Sequence, residues 1–232
     1  MKCGIVVFPG SNCDHDCYHI LKHVLHLDTQ WIWHKDETLD TFDFIVLPGG
    51  FSYGDYLRPG AIARFSPIMK SVIDYANRGG RLLGICNGFQ ILVESGLLPG
   101  VLMDNAGQKF ICKNLTLRVD NNQTPFTSQC TAGEVLKIPI NHGQGRYFAD
   151  DETLKRLVDN DQIVFRYCDA EGNTPETANP NGSLDHIAGI ANQAKNVMGM
   201  MPHPERCADP LWPEVDGQTI FNSLIQSSLT PS

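Results

Sequence analysis

The stretch that most constrains this chain is Leu82-Leu83-Gly84-Ile85-Cys86-Asn87-Gly88-Phe89-Gln90. An apolar run enters Cys86 and an amphipathic run leaves it at once. Glycines stand two before and two after, giving G-x-C-x-G. A strand that turns into a helix with no intervening loop strains its central residue, and side chains at the flanking positions would collide there. The pattern therefore predicts a buried strand, a sharp elbow with Cys86 at its apex, and a helix behind it. At a helix N-terminus the macrodipole favours negative charge on the sulfur, and the Asn87 backbone N–H is free to face an oxyanion. The competing reading is a structural buried cysteine, the commonest fate of a free thiol. The glycines and the strand-to-helix switch together weigh against it.

The rest of the chain supplies a frame for such an elbow. Gly4 to Phe8 and Phe42 to Leu47 are continuous apolar runs closed by Pro-Gly, as strands buried on both faces read. Gln30 to Trp33 is a further strand. From Asp14, apolar residues recur at helical spacing as far as Leu27, with Ser11 or Asn12 as the expected cap. Pro67 to Asn77 and Gly88 to Leu98 are the next helices, the first ended by Gly79-Gly80. This alternation predicts βαβ units and a mostly parallel sheet with helices on both faces. In the second half, Ile111 to Val119, Val135 to Ile140, Gln162 to Tyr167 and Ile187 to Ala191 read as strands with little helix between them. Asp120 to Thr131 and Asp169 to Asp185 are polar loops, and Asp150/Asp151 also reads as loop. No linker divides the chain, so a single domain over residues 1–232 is expected.

Composition excludes several classes. The 232 residues carry a net charge of −8, with 42% hydrophobic and 19% charged residues. That is a globular composition with enough length for a core. No basic run of five appears, which argues against nucleic acid or an anionic membrane as partner. No apolar stretch approaches the roughly 18 residues of a membrane helix, and the first ten residues lack the features of a signal peptide. The expectation is a cytoplasmic chain whose eight cysteines are reduced.

A thiolate nucleophile needs a base, and the base an orienter. Met201-Pro202-His203-Pro204-Glu205 offers both. In an extended segment residues two apart share a face, so Glu205 could hold one ring nitrogen of His203 and leave the other for Cys86. The prolines would stiffen the segment and keep it out of helix.

Pro48-Gly49-Gly50, Gly84 to Gln90 and Pro202-His203-Pro204-Glu205 together resemble the three signature regions of class I glutamine amidotransferases. Phe8 to Asp14, Gly49 to Asp55, His142 to Tyr147 and Asn179 to Ser183 narrow the resemblance to one branch, the glutaminase subunits that serve an ATP-dependent synthetase of purine biosynthesis. The likeness spans roughly residues 3 to 223. It departs at Gln144, where the branch carries Glu. It implies the flavodoxin-like α/β fold of that family, with Cys86, His203 and Glu205 as catalytic triad. It implies the backbone N–H groups of Gly50 and Asn87 as oxyanion hole, and Phe51, Gln90, His142 and Gly143 as contacts to glutamine. It further implies a large synthetase subunit and a small bridging subunit as partners. ATP and magnesium would be used by the synthetase, with no cofactor in this chain.

Other features carry less. Cys13, Cys17, His19 and His23 crowd the first helix, but the spacing fits no standard zinc module, and no metal site is expected. Gly49-Gly50 and Gly54 lack the fingerprints of nucleotide-binding loops. Two other functions use the same elbow: a stand-alone cysteine hydrolase of γ-glutamyl substrates, and a non-catalytic interaction subunit. The first would not need the Asn12 to Asp16 or Phe51 to Arg58 segments. The second has no chemical reason to keep Cys86, His203 and Glu205 together.

Overall fold

The computed structural model describes residues 1–229; the last three residues of the expected domain, 230–232, lie outside the described residues. Its first half alternates strand and helix as β1 (Lys2–Val7), α1 (Asp14–Tyr18), β2 (Asp28–Trp33), β3 (Phe44–Leu47), α2 (Pro67–Asn77), β4 (Arg81–Ile85) and α3 (Asn87–Glu94). The second half adds β5 (Val101–Asp104), β6 (Ile111–Val119), β7 (Val135–His142), β8 (Gln144–Phe148), α4 (Asp151–Asp159), β9 (Ile163–Cys168), β10 (Ile187–Ala191), β11 (Val197–Met200) and α5 (Gly217–Leu229). Nine strands form one sheet in the order β2-β1-β3-β4-β11-β10-β9-β6-β7, and β5 pairs with β8 beside it. The five strands from β2 to β11 are mutually parallel, and from β11 onward every pairing is antiparallel. This is the mostly parallel α/β centre with a more antiparallel later half that the sequence predicts.

The apolar strands sit where their composition requires. All four residues of β3 and all four of β11 are buried, because a sheet with helices packed over it leaves no wet face. Close packing of α3 on this sheet depends on two paired glycines. Gly84 of β4 and Gly199 of β11 are direct neighbours. A Cβ on Gly84 would approach Leu92 Cδ1 at 2.5 Å, and one on Gly199 would run into the Phe89 ring. With both absent, Phe89, Ile91 and Leu92 are buried, each contributing about 1.5–3 kcal/mol of apolar transfer free energy.

Several boundaries differ from expectation for local reasons. The first helix is α-helical only over Asp14–Tyr18 and continues as a π-helix over His19–Val24. Its N-cap is Cys13, with no side-chain cap bond. Ser11 is drawn elsewhere: its Oγ accepts from the Phe8 N–H at 3.3 Å. The helix expected to reach Leu98 ends at Glu94, because Gly96 takes φ +72° and the chain turns back, Leu97 N–H donating to the Leu92 carbonyl. Asp150 is a helix cap rather than loop: its Oδ1 accepts from Thr153 N–H at 2.7 Å and starts α4, the geometry that makes Asp a strong N-cap. The second half thus holds a helix that its strand-like composition conceals. The short strands β5, β8 and β11 and the C-terminal α5 were not foreseen either.

Register places the functional loops. Ile5 pairs with Val46, Leu47 with Gly84, and Ile85 with Met200. The carboxyl ends of four adjacent parallel strands therefore stop at one edge, where open α/β sheets form their binding crevices.

Candidate active site

The loops leaving β1, β3, β4 and β11 deliver Asn12 and Cys13, Gly49 to Phe51, Cys86, and His203 with Glu205 to that edge. The connection from β7 to β8, which crosses from one sheet to the other, closes the cleft from the antiparallel side with Asn141 to Gln144. The resulting cavity of about 180 Å³ has Cys86, Gly50, Gln90, His142 and His203 in its wall.

Cys86 is the strained apex that the glycine pattern predicts. Its φ is +50° and ψ −104°, directly before the first residue of α3. Residues with a Cβ rarely occupy φ near +50°, and holding one there costs of order 1–3 kcal/mol. The surroundings leave no other path. The Cys86 N–H donates to the Met200 carbonyl at 2.8 Å, and a Cβ on Gly88 would overlap the Leu47 carbonyl. The Asn87 N–H belongs to the first helical turn, whose amides have no partner within the helix. The Asn87 side chain ties the neighbouring loop to the helix: Oδ1 accepts from Ser52 N–H at 3.1 Å, and Nδ2 donates to Asp55 Oδ1 at 3.3 Å and to Gln90 Oε1 at 3.0 Å.

His203 and Glu205 meet as expected, by a different local route. His203 Nδ1 lies 2.6 Å from Glu205 Oε1, with both side chains buried. The segment is not extended throughout, since Pro204–Cys207 is a 3₁₀ turn. Proline suits the first position of such a turn, because its missing N–H is not required there. The His203 N–H donates to the Pro139 carbonyl at 2.8 Å, anchoring the turn to β7. Gly49 packs against the imidazole: a Cβ there would lie 2.7 Å from His203 Cε1.

The two buried imidazoles are driven in opposite directions. Burial opposes charge on His203, but the Glu205 carboxylate, followed by Cys86, outweighs it and holds the pKa well above the ordinary histidine value. His142 has no such partner. Burial, then the nearby charge of His203, pushes it down to about 3, so it stays neutral. His203 is the ring suited to carry a proton in this cleft. The thiols of Cys86 and Cys13 both flank it closely enough to favour its charged form, although His203 Nε2 makes no well-formed hydrogen bond. Asp55 is raised to about 6 by burial, partly offset by the Asn87 hydrogen bond.

The remaining expected residues fall in the same cleft. Gly50, at φ +139°, and Phe51, 46% exposed, form its lip. Gln90 is fixed at both ends, Oε1 accepting from Asn87 and Nε2 donating to the Gln144 carbonyl. His142 and Gly143 line the opposite wall, with Asn105 Oδ1 3.1 Å from His142 Nδ1. Asn12, Cys13, Asp55, Pro59, Phe110 and Asn141 also line it, residues to which the sequence assigns no contact with substrate. For Asn12 and Cys13 the Ser11–Gly50 bridge is the cause, pulling the loop after β1 against the loop after β3. Of the Cys and His residues that crowd the first helix, His19 pairs with Asp209 at 2.8 Å and Cys17 is buried, while Cys13 faces the cleft.

A thiol at a strained helix start, beside a histidine held charged by a buried carboxylate, can attack a carbonyl carbon and protonate its leaving group. Comparisons with known proteins identify the family. The profile of the CobB/CobQ-like glutamine amidotransferase domain matches residues 1–224. A protein of Salinibacter ruber, phosphoribosylformylglycinamidine synthase subunit PurQ, is 54% identical over 222 residues, covering 96% of this chain and 94% of the relative. The protein of the same name in a Synechocystis species is 57% identical over 220 residues, covering 95% and 98%. Among solved structures, a chain of PurLQS from Thermotoga maritima superposes with a TM-score of 0.85 at 44% identity, covering 97% of both chains.

Proposed function

The chain belongs to the CobB/CobQ-like glutamine amidotransferase family, and from that premise we propose that it is the glutaminase subunit of a phosphoribosylformylglycinamidine synthase. It hydrolyses glutamine to glutamate and ammonia. The ammonia passes to an ATP-dependent synthetase subunit that converts formylglycinamide ribonucleotide to formylglycinamidine ribonucleotide. A large synthetase and a small bridging subunit are its partners, consistent with the PurLQS assembly of the structural relative. ATP and magnesium act in the synthetase. Among the described residues no helix is long and apolar enough to cross a membrane, and the reading places the protein in the cytoplasm, where purine precursors are made.

The observation that carries the chemistry is the convergence of the Cys86 elbow and the His203–Glu205 pair on one cleft. In the proposed cycle the Cys86 thiolate adds to the carboxamide carbon of glutamine. The C=O electron pair moves onto oxygen, which the Gly50 and Asn87 N–H groups stabilise. Imidazolium His203 gives its proton to the amine as the C–N bond breaks, releasing ammonia and leaving a γ-glutamyl thioester. His203, now neutral, takes a proton from water as that water attacks the thioester. A second oxyanion collapses with loss of the Cys86 sulfur, giving glutamate and the starting enzyme. Glu205 holds the ring orientation and the imidazolium charge throughout. Phe51, Gln90 and the His142-Gly143 segment position the substrate.

Replacing Cys86 by Ala tests the reading in the assembled complex. Glutamine-dependent synthesis should vanish while synthesis from added ammonium salt continues. Loss of both would assign Cys86 a role in the fold or the assembly and remove it as nucleophile.

A further inference from the structure

Cys13 is 2% exposed, lies beside the proposed base, and has no part in the chemistry above. Its Sγ, a ring nitrogen of His203 and a carboxylate oxygen of Glu205 all lie within 4.8 Å of one another. The thiol and the ring are held side by side against one backbone position: a Cβ on Gly49 would lie 2.7 Å from His203 Cε1 and 3.1 Å from Cys13 Sγ. Thiolate, imidazole and carboxylate are the three ligand types of zinc, each bound at about 2.0–2.3 Å. Ligand atoms already this close need move only slightly to converge on one ion.

Two further observations point to a ligand. After the His203–Glu205 bond is made, Glu205 Oε2 remains buried with no hydrogen-bond partner, and His203 Nε2 does likewise. Both residues are more than nine-tenths buried, and a buried polar atom is costly until it gains a partner. The cluster also borders two clefts: Cys13 and His203 line the active-site cavity, and Glu205 lines a second cleft of about 670 Å³ with Arg206, Asp16 and Asp209. Arg206 donates to Cys13 Sγ at 3.1 Å and to Asp16 Oδ2 at 3.3 Å, so the sulfur is held in place beside the ring.

We propose that Cys13, His203 and Glu205 form an inhibitory site for a thiophilic divalent cation, of which zinc is the representative ion. The mechanism needs both ring nitrogens of His203, one for Glu205 and the other for proton transfer. A cation that takes either nitrogen, or takes Glu205, disables the base without touching Cys86. Thiolate and imidazole select such an ion over magnesium, which prefers oxygen ligands and keeps its water. The inhibitory consequence rests on the glutaminase reading; the binding itself does not.

Cobalt(II) serves as the spectroscopic probe, in the full chain carrying Cys86→Ala so that the nucleophile cannot contribute. The expected result is one equivalent bound, with a sulfur-to-cobalt charge-transfer band that zinc displaces. Adding Cys13→Ser or Cys13→Ala should abolish the band or weaken binding by at least about tenfold, while Cys112→Ser, at an exposed thiol, changes nothing. Matching melting temperatures identify the folded variants, and either Cys13 substitution suffices. In the assembled complex, zinc should inhibit glutamine-dependent synthesis, and Cys13→Ser should raise the half-inhibitory concentration by a similar factor. A band unchanged by loss of Cys13, or absent once Cys86 is removed, overturns the proposal. Because the band is read without turnover, failure of the glutaminase reading would leave it intact.

Discussion

Glu205→Gln perturbs the site with least disturbance of shape. Glutamine is isosteric with the carboxylate and can still offer an acceptor to His203 Nδ1–H, so what is lost is charge. The loss falls where it matters most: the Nδ1–Oε1 separation is 2.6 Å, and both side chains are essentially excluded from solvent. Burial opposes a charged His203, and Glu205 is the largest influence keeping it protonatable. With the carboxylate gone, burial dominates, and the imidazolium that must protonate the leaving ammonia becomes the unfavourable form. Acid–base assistance of this kind is worth about 10²- to 10⁴-fold, or roughly 2.7–5.4 kcal/mol at 1.36 kcal/mol per decade. The assay is steady-state glutamine hydrolysis by the assembled complex. Because Glu205 sits behind the ring and reaches no substrate, the decrease should appear in kcat, with KM changed little. His203→Ala, which deletes both proton transfers, should be the more severe. Wild-type kcat in Glu205→Gln would refute the account of how His203 is activated.

Two further predictions concern stability. Asp55 has its pKa raised to about 6 by burial against an ordinary value of 3.8, so the folded state binds its proton more tightly than the unfolded state. Its contribution is therefore fully present below about pH 3.8 and lost as pH rises through 6. Asp55→Asn, which mimics the neutral form, should raise the melting temperature at pH 7 but not at pH 3.5, and an equal effect at both would contradict the burial argument. Gly88→Ala forces a Cβ into the Leu47 carbonyl, and overpacking of this kind costs about 1–3 kcal/mol or more. At roughly 2–4 °C per kcal/mol for a chain of this size, thermal unfolding should show a clear drop; an unchanged midpoint would mean that the elbow is not sterically fixed.

Particular residues explain what the sequence made legible. The elbow was readable because its constraint is local: two glycines and a strand-to-helix switch all act within five residues of Cys86. His203 and Glu205 were readable as a pair for a similar reason, although the turn at Pro204 reaches that contact by a route an extended segment does not take. Cys13 and Asp55 were not readable as cleft residues. Their positions depend on the parallel pairing of β1 with β3 and on the Ser11–Gly50 bridge, which join segments nearly forty positions apart. Helix α4 was hidden because Asp150-Asp151 reads equally as loop and as cap, and only the Thr153 N–H contact decides between them. Gly199 gave no signal, since its need for a missing side chain comes from Phe89 on another element.

If Cys86 is the nucleophile of a glutamine-specific site, a reactive glutamine analogue must become covalently attached to it. The assembled complex is treated with a chloroketone or diazoketone analogue of glutamine, then digested and mapped by mass spectrometry. One adduct is expected, on Cys86, blocked by excess glutamine and greatly slowed in His203→Ala. An adduct on Cys13 or another thiol with Cys86 unmodified, or labelling that glutamine does not protect against, would contradict it.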